Sequence, residues 1–200
     1  MPHVPAPLAD DPVAQRTRWD PLVGGGANFR TRDLIVVNAS RLEFRASRGM
    51  KLFGGAFVAL GLVAAGAGVA GPRWAPLLFG LAFAAIGVWL WFHGTAPVVF
   101  DTREGAFWRG RSAPSEAVNR QRLQHYAALG DIHALQLLAE HVADSDGSYN
   151  SYELNLVLTD GRRLNVTDHG DYDTLHRNTQ TVSDFLNRPV WDTVAGTFGA

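Results

Sequence analysis

The chain has 200 residues, a formal net charge of −1 and no cysteine. The lack of cysteine excludes disulfides, zinc–thiolate sites, cysteine-ligated iron–sulfur clusters and thiol nucleophiles. The balanced charge provides no bulk attraction to nucleic acid, so we expect no nucleic-acid partner. The length leaves room for one modest globular domain beside the apolar segment described below.

Residues 1–27 are rich in proline and glycine, and we predict that they form a mobile N-terminal tail. Five prolines lie between positions 2 and 21, and three glycines occupy positions 24–26. Asp10 and Asp11 stand where a signal peptide would have its apolar region. The glycines do not match a phosphate-binding loop, because no Lys-Ser or Lys-Thr pair follows them.

Residues 28–51 are predicted to form a β-hairpin that leads into the apolar segment. Positions 34–37 are rich in β-branched side chains, and Leu42 and Phe44 alternate with charged residues, which is typical of a half-buried strand. We expect strands at 33–38 and 41–46. Because an isolated two-stranded hairpin is marginally stable in water, these strands are expected to join a larger sheet beyond the apolar segment.

Residues 52–92 contain two long apolar runs that predict a transmembrane helical hairpin. The runs cover positions 52–70 and 75–92, and neither contains a charged side chain. As helices they would each be about 27–28 Å long, close to the thickness of a bilayer core of about 30 Å. Pro72 and Arg73 favour a turn between them. The alternative interpretation is a buried helical hairpin in a soluble protein.

The distribution of cations predicts the orientation of this hairpin. Arginines and one lysine crowd the sequence before the first helix and after the second, whereas the connecting turn has Arg73 alone. The positive-inside rule therefore predicts a multi-pass protein of the cytoplasmic membrane with both termini in the cytoplasm. Trp74 at one boundary and Trp89 and Trp91 at the other are predicted interface anchors.

Small residues recur at four-residue spacing in both helices. The pairs are Gly61 with Ala65, Ala64 with Gly68, and Gly80 with Ala84. Such spacing lets helix backbones approach closely, either within the hairpin or between the hairpin and another membrane subunit. We favour the second interpretation, because a single small-residue face is enough for the hairpin itself. Neither span contains Asp, Glu, Lys or His, which argues against transport by this chain alone.

Residues 97–192 are predicted to form an antiparallel sheet closed by a C-terminal helix. Strands are expected at 97–100, 106–109, 132–142, 152–158 and 163–167, with 111–129 as a loop. Asp171 is a suitable N-cap for an amphipathic helix that Pro189 ends. Val190 and Trp191 are expected to dock on the sheet edge. Residues 193–200 are predicted to be a frayed tail.

This order of elements resembles small bacterial membrane proteins in which a two-helix transmembrane hairpin accompanies a pleckstrin-homology-like (PH-like) domain. The resemblance implies a membrane α+β fold. The hairpin is inserted in or attached to an antiparallel sheet of about seven strands, closed by the C-terminal amphipathic helix. It also implies a cytoplasmic module for binding or assembly. The resemblance does not carry over lipid-headgroup binding, because Asn38, Ala39 and Ser40 replace the basic cluster that eukaryotic relatives have in the first strand loop.

No grouping in the sequence indicates a catalytic site, a cofactor or a metal. The densest set of candidate ligands is Asp168, His169, Asp171, Asp173 and His176, but helix capping explains two of its members. The segment from Asp144 fails the EF-hand pattern at its sixth and twelfth positions. No serine lies in a nucleophile elbow.

We therefore expect a non-enzymatic accessory or assembly subunit that binds a membrane-protein complex within the lipid bilayer. The alternative is a membrane-bound sensor whose soluble domain binds a small ligand or lipid headgroup, in a pocket lined by Arg109, Arg111, Arg120 or Arg122. A third possibility is a membrane enzyme that uses the group from Asp168 to His176.

Overall fold

The computed structural model describes residues 4–22, 24–26, 28–71, 74–116, 125–144 and 147–198. The chain divides into two compact units. A helical unit covers Arg45–Pro97, and a sheet unit combines Met1–Phe44 with Val98–Ala200. The architecture is mixed α+β, with two long apolar helices and two largely antiparallel sheets.

The helical unit consists of α1 (Arg48–Ala70) and α2 (Ala75–Gly94). Helix α1 starts four residues before the apolar run, because the side chain of Ser47 accepts a hydrogen bond from the backbone N–H of Met50 at 3.1 Å and caps the helix. The predicted turn at Pro72 and Arg73 lies outside the described residues.

The sheet unit contains ten strands among its described residues, in two five-stranded sheets. The first sheet has the order β1-β2-β3-β4-β5, and the second has the order β10-β9-β6-β7-β8. The strands are β1 (Arg32–Asn38), β2 (Arg41–Ala46), β3 (Val98–Asp101), β4 (Ala106–Arg109), β5 (Tyr126–Ala128), β6 (Ile132–Asp144), β7 (Gly147–Leu158), β8 (Arg163–His169), β9 (Val190–Asp192) and β10 (Thr197–Phe198). Helix α3 (Tyr172–Leu186) follows β8.

The predicted single sheet of about seven strands is wrong in number and arrangement. Three strands were not predicted as strands: β5 in the expected loop, β10 in the expected tail, and β9, whose Val190 and Trp191 were expected only to dock on the sheet edge. All three are short, with too few residues to show a period. In addition, β9 pairs with β6 in parallel, through Leu135 opposite Val190, so the second sheet is not wholly antiparallel.

The predicted insertion of the hairpin into the connectivity of the sheet is confirmed. Strands β2 and β3 pair with each other in antiparallel register, from Arg41 opposite Asp101 to Phe44 opposite Val98. The whole helical unit therefore separates two strands that are neighbours in the first sheet.

One hydrophobic core holds the two sheets and α3 together. Phe44, Phe100 and Phe107 reach it from the first sheet, and all three are fully buried. Alternate leucines of β6 and β7 reach it from the second sheet, as their period-two pattern predicts. Leu175 and Val182 contribute from α3, whose N-cap Asp171 accepts a hydrogen bond from the Thr174 N–H at 2.9 Å.

The N-terminal segment is packed on the outer face of the second sheet, which corrects the prediction of a mobile tail. Val13 and Ala14 are buried against Ala134, Val157 and Trp191. The carboxylate of Asp11 pairs with His133 of β6 at 2.8 Å, and the ring centroids of Trp19 and Trp191 are 5.4 Å apart.

Polar contacts extend this packing along the segment. The Leu22 N–H donates to both carboxylate oxygens of Glu153 at 2.9 and 3.1 Å, and Glu140 accepts from the N–H groups of Gly25 and Gly26. The segment is ordered because the sheet supplies acceptors for its backbone, which a reading of the segment alone does not reveal.

Candidate functional site

The two long helices pack through a seam of small residues. On α1 the seam positions are spaced by four, three, four and three residues, the spacing of a left-handed helix pair. The facing pairs are Gly54 with Trp91, Val58 with Gly87, Gly61 with Ala84, Ala65 with Gly80, and Gly68 with Leu77. A β-carbon added to Gly61, Gly68, Gly80 or Gly87 would lie closer than 3.0 Å to backbone atoms of the partner helix. The glycines therefore allow the two backbones to touch.

The seam uses five of the six predicted helix-packing residues. Gly61, Ala65, Gly68, Gly80 and Ala84 are buried between α1 and α2, whereas Ala64 lies beside the seam and is half-buried. The packing of the hairpin on itself thus accounts for most of the small-residue pattern. A second membrane subunit would have to bind the outer surface of the helices.

That outer surface is apolar and exposed. Both helices are long and apolar enough to cross a membrane, and only 22% and 17% of their apolar windows are buried. Leu52, Val63, Val69, Phe79 and Ile86 are each more than half exposed. A helix in the core of a soluble domain would bury such side chains.

The three predicted anchor tryptophans lie near the ends of α2. Trp74 precedes the helix and is 72% exposed, and Trp89 near the other end is exposed and packs on His93 with ring centroids 4.9 Å apart. The ring of Trp91 lies over Gly54 and Gly55. Their role as membrane anchors stays a prediction.

In the sheet unit, a partly buried ionic cluster joins β1, β4 and β8. One guanidinium nitrogen of Arg109 donates to the side chain of Asn165 and to the carbonyl oxygen of Val166, both at 3.2 Å. The side chain of Asn165 in turn donates to Asp168 at 3.0 Å. Arg32 is buried nearby, close enough for the charges of Arg109 and Asp168 to act on it.

Burial dominates the electrostatics of this cluster. It raises the pKa of Asp168 to about 6, although the adjacent Arg109 favours the ionised form. Burial and the neighbouring Arg109 lower the pKa of Arg32 to about 10. The pKa of His125 is lowered for the same two reasons. The contacts of Arg109 with Asn165 and Val166 tie the first sheet to the second.

The structure does not show a pocket formed by the four arginines that were proposed to line one, as far as the described residues extend. Arg109 is engaged inside the cluster, whereas Arg111 is exposed. Arg120 and Arg122 lie outside the described residues.

The predicted group of candidate metal ligands is also dispersed. His169 accepts a hydrogen bond from the Asp171 N–H at 2.8 Å, and Asp171 caps α3. Asp168 belongs to the arginine cluster. Within the ranges that the structure describes, no three His, Asp or Glu side chains lie together in a way that could hold a metal ion.

Sequence reasoning missed a hydrogen-bonded group around Asp192. Its side chain is fully buried, and one carboxylate oxygen accepts from the Tyr172 hydroxyl at 2.6 Å and lies 3.0 Å from Nδ1 of His176. Burial and Asp192 raise the pKa of Tyr172. The other oxygen accepts from the N–H groups of Val194 and Ala195. The group fixes β9 to α3, and only the helical spacing of Tyr172 and His176 hinted at it.

Comparison with known proteins assigns no family to this chain. No protein-family model matches it, and no curated protein sequence is significantly similar to it. A functional interpretation therefore rests on the geometry described above.

Proposed function

We propose that the chain is a non-enzymatic accessory or assembly subunit, anchored in a bacterial cytoplasmic membrane by the hairpin of α1 and α2. Both termini lie in the cytoplasm, and the sheet unit serves as a PH-like binding module. One observation carries the proposal. After the seam between α1 and α2 is complete, a broad apolar surface is still exposed on both helices. Lipid tails and a membrane-protein partner are the surroundings that such a surface requires.

The connectivity supports the role of the sheet unit. Ser47 alone separates β2 from α1, and residues 95–97 separate α2 from β3. Two links this short leave little chain between the strands of the sheet unit and the ends of the two helices. A domain tethered twice in this way is suited to bind a partner at the membrane surface.

Strand β1 offers a specific contact surface for a protein partner. It is one of the two edge strands of the first sheet, and its second half carries Ile35, Val36 and Val37, of which Val36 is 62% exposed. An outer strand with exposed β-branched side chains is suited to pair with a strand of another protein.

In vivo photo-crosslinking tests this proposal at three exposed positions. A photoreactive residue replaces Val36 on β1 or Val63 on α1, and Asp184, which is exposed on α3, provides the matched control. We expect adducts with one membrane protein from Val36 and Val63, and none from Asp184. Recovery of the isolated chain alone, without adducts and in several mild detergents, contradicts the proposed function. So does a chain that stays monodisperse in buffer without detergent or lipid.

A second candidate function is a sensor for a small anionic ligand. Arg32 and Arg109 favour it, because these two guanidinium groups lie close enough for the charge of Arg109 to act on Arg32. Thermal shifts of the full chain with phosphate or sulfate, compared with chloride at equal ionic strength, test this function. Stabilisation that disappears in Arg109→Gln supports the sensor, whereas equal shifts in all three salts exclude such a site.

A further inference from the structure

A groove of about 440 Å³ runs along one side of the helical hairpin. Its walls are almost wholly apolar, with Gly55, Ala59 and Leu62 on α1 and Val88, Trp91 and Phe92 on α2. The ring of Trp91 lies over Gly55 at this wall, and its nearest atom would be 3.1 Å from a β-carbon added to Gly55. The volume falls within the range of ligand sites, about 300–1,000 Å³.

Two cations continue the same face of α1 toward its N-terminus. Arg48, Lys51, Gly55, Ala59 and Leu62 follow one another at three- or four-residue spacing, so they share one side of the helix. Arg48 and Lys51 are both exposed. Lys51 precedes Gly55 by about 6 Å along the helix axis. The groove therefore has a positively charged end.

The charge of the helical unit has one sign throughout. Residues 45–97 contain three arginines, one lysine and no acidic residue. Three of these cations precede the apolar part of α1, and Arg73 alone falls between the helices. An anion held at the start of α1 thus meets no acidic competitor from the sequence of this unit.

We propose that the groove binds one acyl chain of an anionic glycerophospholipid whose phosphate is held by Arg48 and Lys51. The walls are almost wholly apolar and offer mainly dispersion contacts, which suits a hydrocarbon chain. Lys51 lies about one helical turn beyond the groove and Arg48 about two turns beyond it, where a headgroup joined to that chain would lie. The inference rests on the proposed membrane anchoring and adds the class of lipid that the hairpin retains.

Native mass spectrometry of the full chain released from detergent micelles tests the proposal. Phosphatidylglycerol and phosphatidylcholine with identical acyl chains are added in equal amounts. We expect one retained lipid per chain, with a roughly tenfold preference for phosphatidylglycerol, because each cation near a membrane surface contributes to anionic lipid binding. The double variant Arg48→Gln and Lys51→Gln should lose this preference. Ala59→Phe, which fills the groove, should lose retention of both lipids.

Two control variants separate the site from general effects of charge and bulk. Arg73→Gln removes a cation between the helices, and Ala82→Phe adds the same ring at an exposed position of α2 that does not line the groove. Both should retain phosphatidylglycerol like the parent chain. Equal retention of the two lipids, or retention that Ala59→Phe leaves unchanged, overturns the lipid site. So does a second copy of the chain or another protein found in the groove. A chain that needs no detergent refutes the membrane anchoring instead.

Discussion

The hairpin and the sheet unit achieve close packing in opposite ways. The seam between α1 and α2 depends on glycines, because Gly61, Gly80 and Gly87 have no side chain to keep the two backbones apart. The core of the sheet unit depends on side chains that fill space, with Phe100 packed between Phe44 and Phe107 at ring distances of 6.4 and 5.0 Å.

The difference corresponds to the solvent that each unit is built for. In water, burial of large apolar side chains is the main favourable contribution to folding. Between helices in lipid there is no such gain, and close van der Waals contact must provide the attraction. The buried polar groups follow the same division, because the sheet unit buries Gln136, Glu153 and Asn155. Larger side chains in the seam should therefore destabilise the hairpin, whereas smaller side chains in the core should destabilise the sheet unit.

The largest effect is expected from removing volume in the sheet unit. Phe100→Ala leaves a cavity beside two other phenylalanine rings and should lower the free energy of unfolding by about 3–5 kcal/mol. Urea unfolding of the full chain in detergent, followed by tryptophan fluorescence, measures it. Phe100→Leu, which keeps most of the volume, should cost clearly less. Equal losses in the two variants would contradict the packing argument.

Adding volume to the hairpin should have the next largest effect. Gly80→Leu forces side-chain atoms against the backbone of Ala65 and Gly61, and should lower the stability of the helix pair by about 3 kcal/mol. Titration with dodecyl sulfate in mixed micelles, followed by circular dichroism, reports the change. Gly66→Leu is the matched control, because nothing lies within 4 Å of a β-carbon there. Similar losses at both glycines would refute the seam.

A smaller loss is expected where the N-terminal segment covers the second sheet. Trp19→Ala removes a half-buried ring from Trp191 and should cost about 2 kcal/mol. Trp19→Phe retains an aromatic contact and should recover much of that loss. The same urea unfolding measures both variants. No loss in Trp19→Ala would mean that the segment contributes little to the stability of the sheet unit.

The smallest effect concerns pH and applies to the sheet unit alone. The pKa of Asp168 is raised from 3.8 to about 6 by burial, so its neutral form is the one that the fold favours. The resulting stabilisation is fully present below about pH 4 and is lost as pH rises through 6. Relative to Asp168→Asn, the free energy of unfolding of the natural chain should therefore fall by about 1–2 kcal/mol between pH 4 and 7.

Urea unfolding of both chains at several pH values measures this difference. Asp160→Asn serves as the control, because Arg162 hydrogen-bonds the exposed Asp160 and lowers its pKa. Relative to Asp160→Asn, the free energy of unfolding of the natural chain should rise, and not fall, as the pH increases. A difference that does not depend on pH for Asp168→Asn would show that the cluster tolerates the charged carboxylate.

Local sequence signals predicted the regular elements of the fold well. The alternation around Leu42 and Phe44 predicted β2 at 41–46, and Asp171 correctly marked the start of α3. Strand β7 shows a limit of such signals, because they did not predict that both of its faces are buried. Glu153, Asn155 and Val157 lie on its second face and are buried, because the distant N-terminal segment covers them. A period-two pattern gives the two faces of a strand, but it does not show what lies on each face.

The sequence predicted which small residues form the helix contact, but it did not predict which helices they join. The four-residue spacing identified small residues that form a helix contact, yet it could not distinguish contact within the hairpin from contact with another subunit. The arginine cluster had no sequence signature, since Arg32, Arg109 and Asp168 come from three distant strands. Buried charges of this kind depend on tertiary pairing, which local patterns do not encode.

The insertion of α1 and α2 between β2 and β3 has a consequence for biosynthesis. When β2 leaves the ribosome, its neighbour β3 is still unsynthesised, and residues 47–97 must emerge first. The two-stranded piece made so far is marginally stable by itself. The first sheet is therefore completed only after the helices have emerged, so delivery of the nascent chain to the bilayer would precede the folding of the module that it anchors.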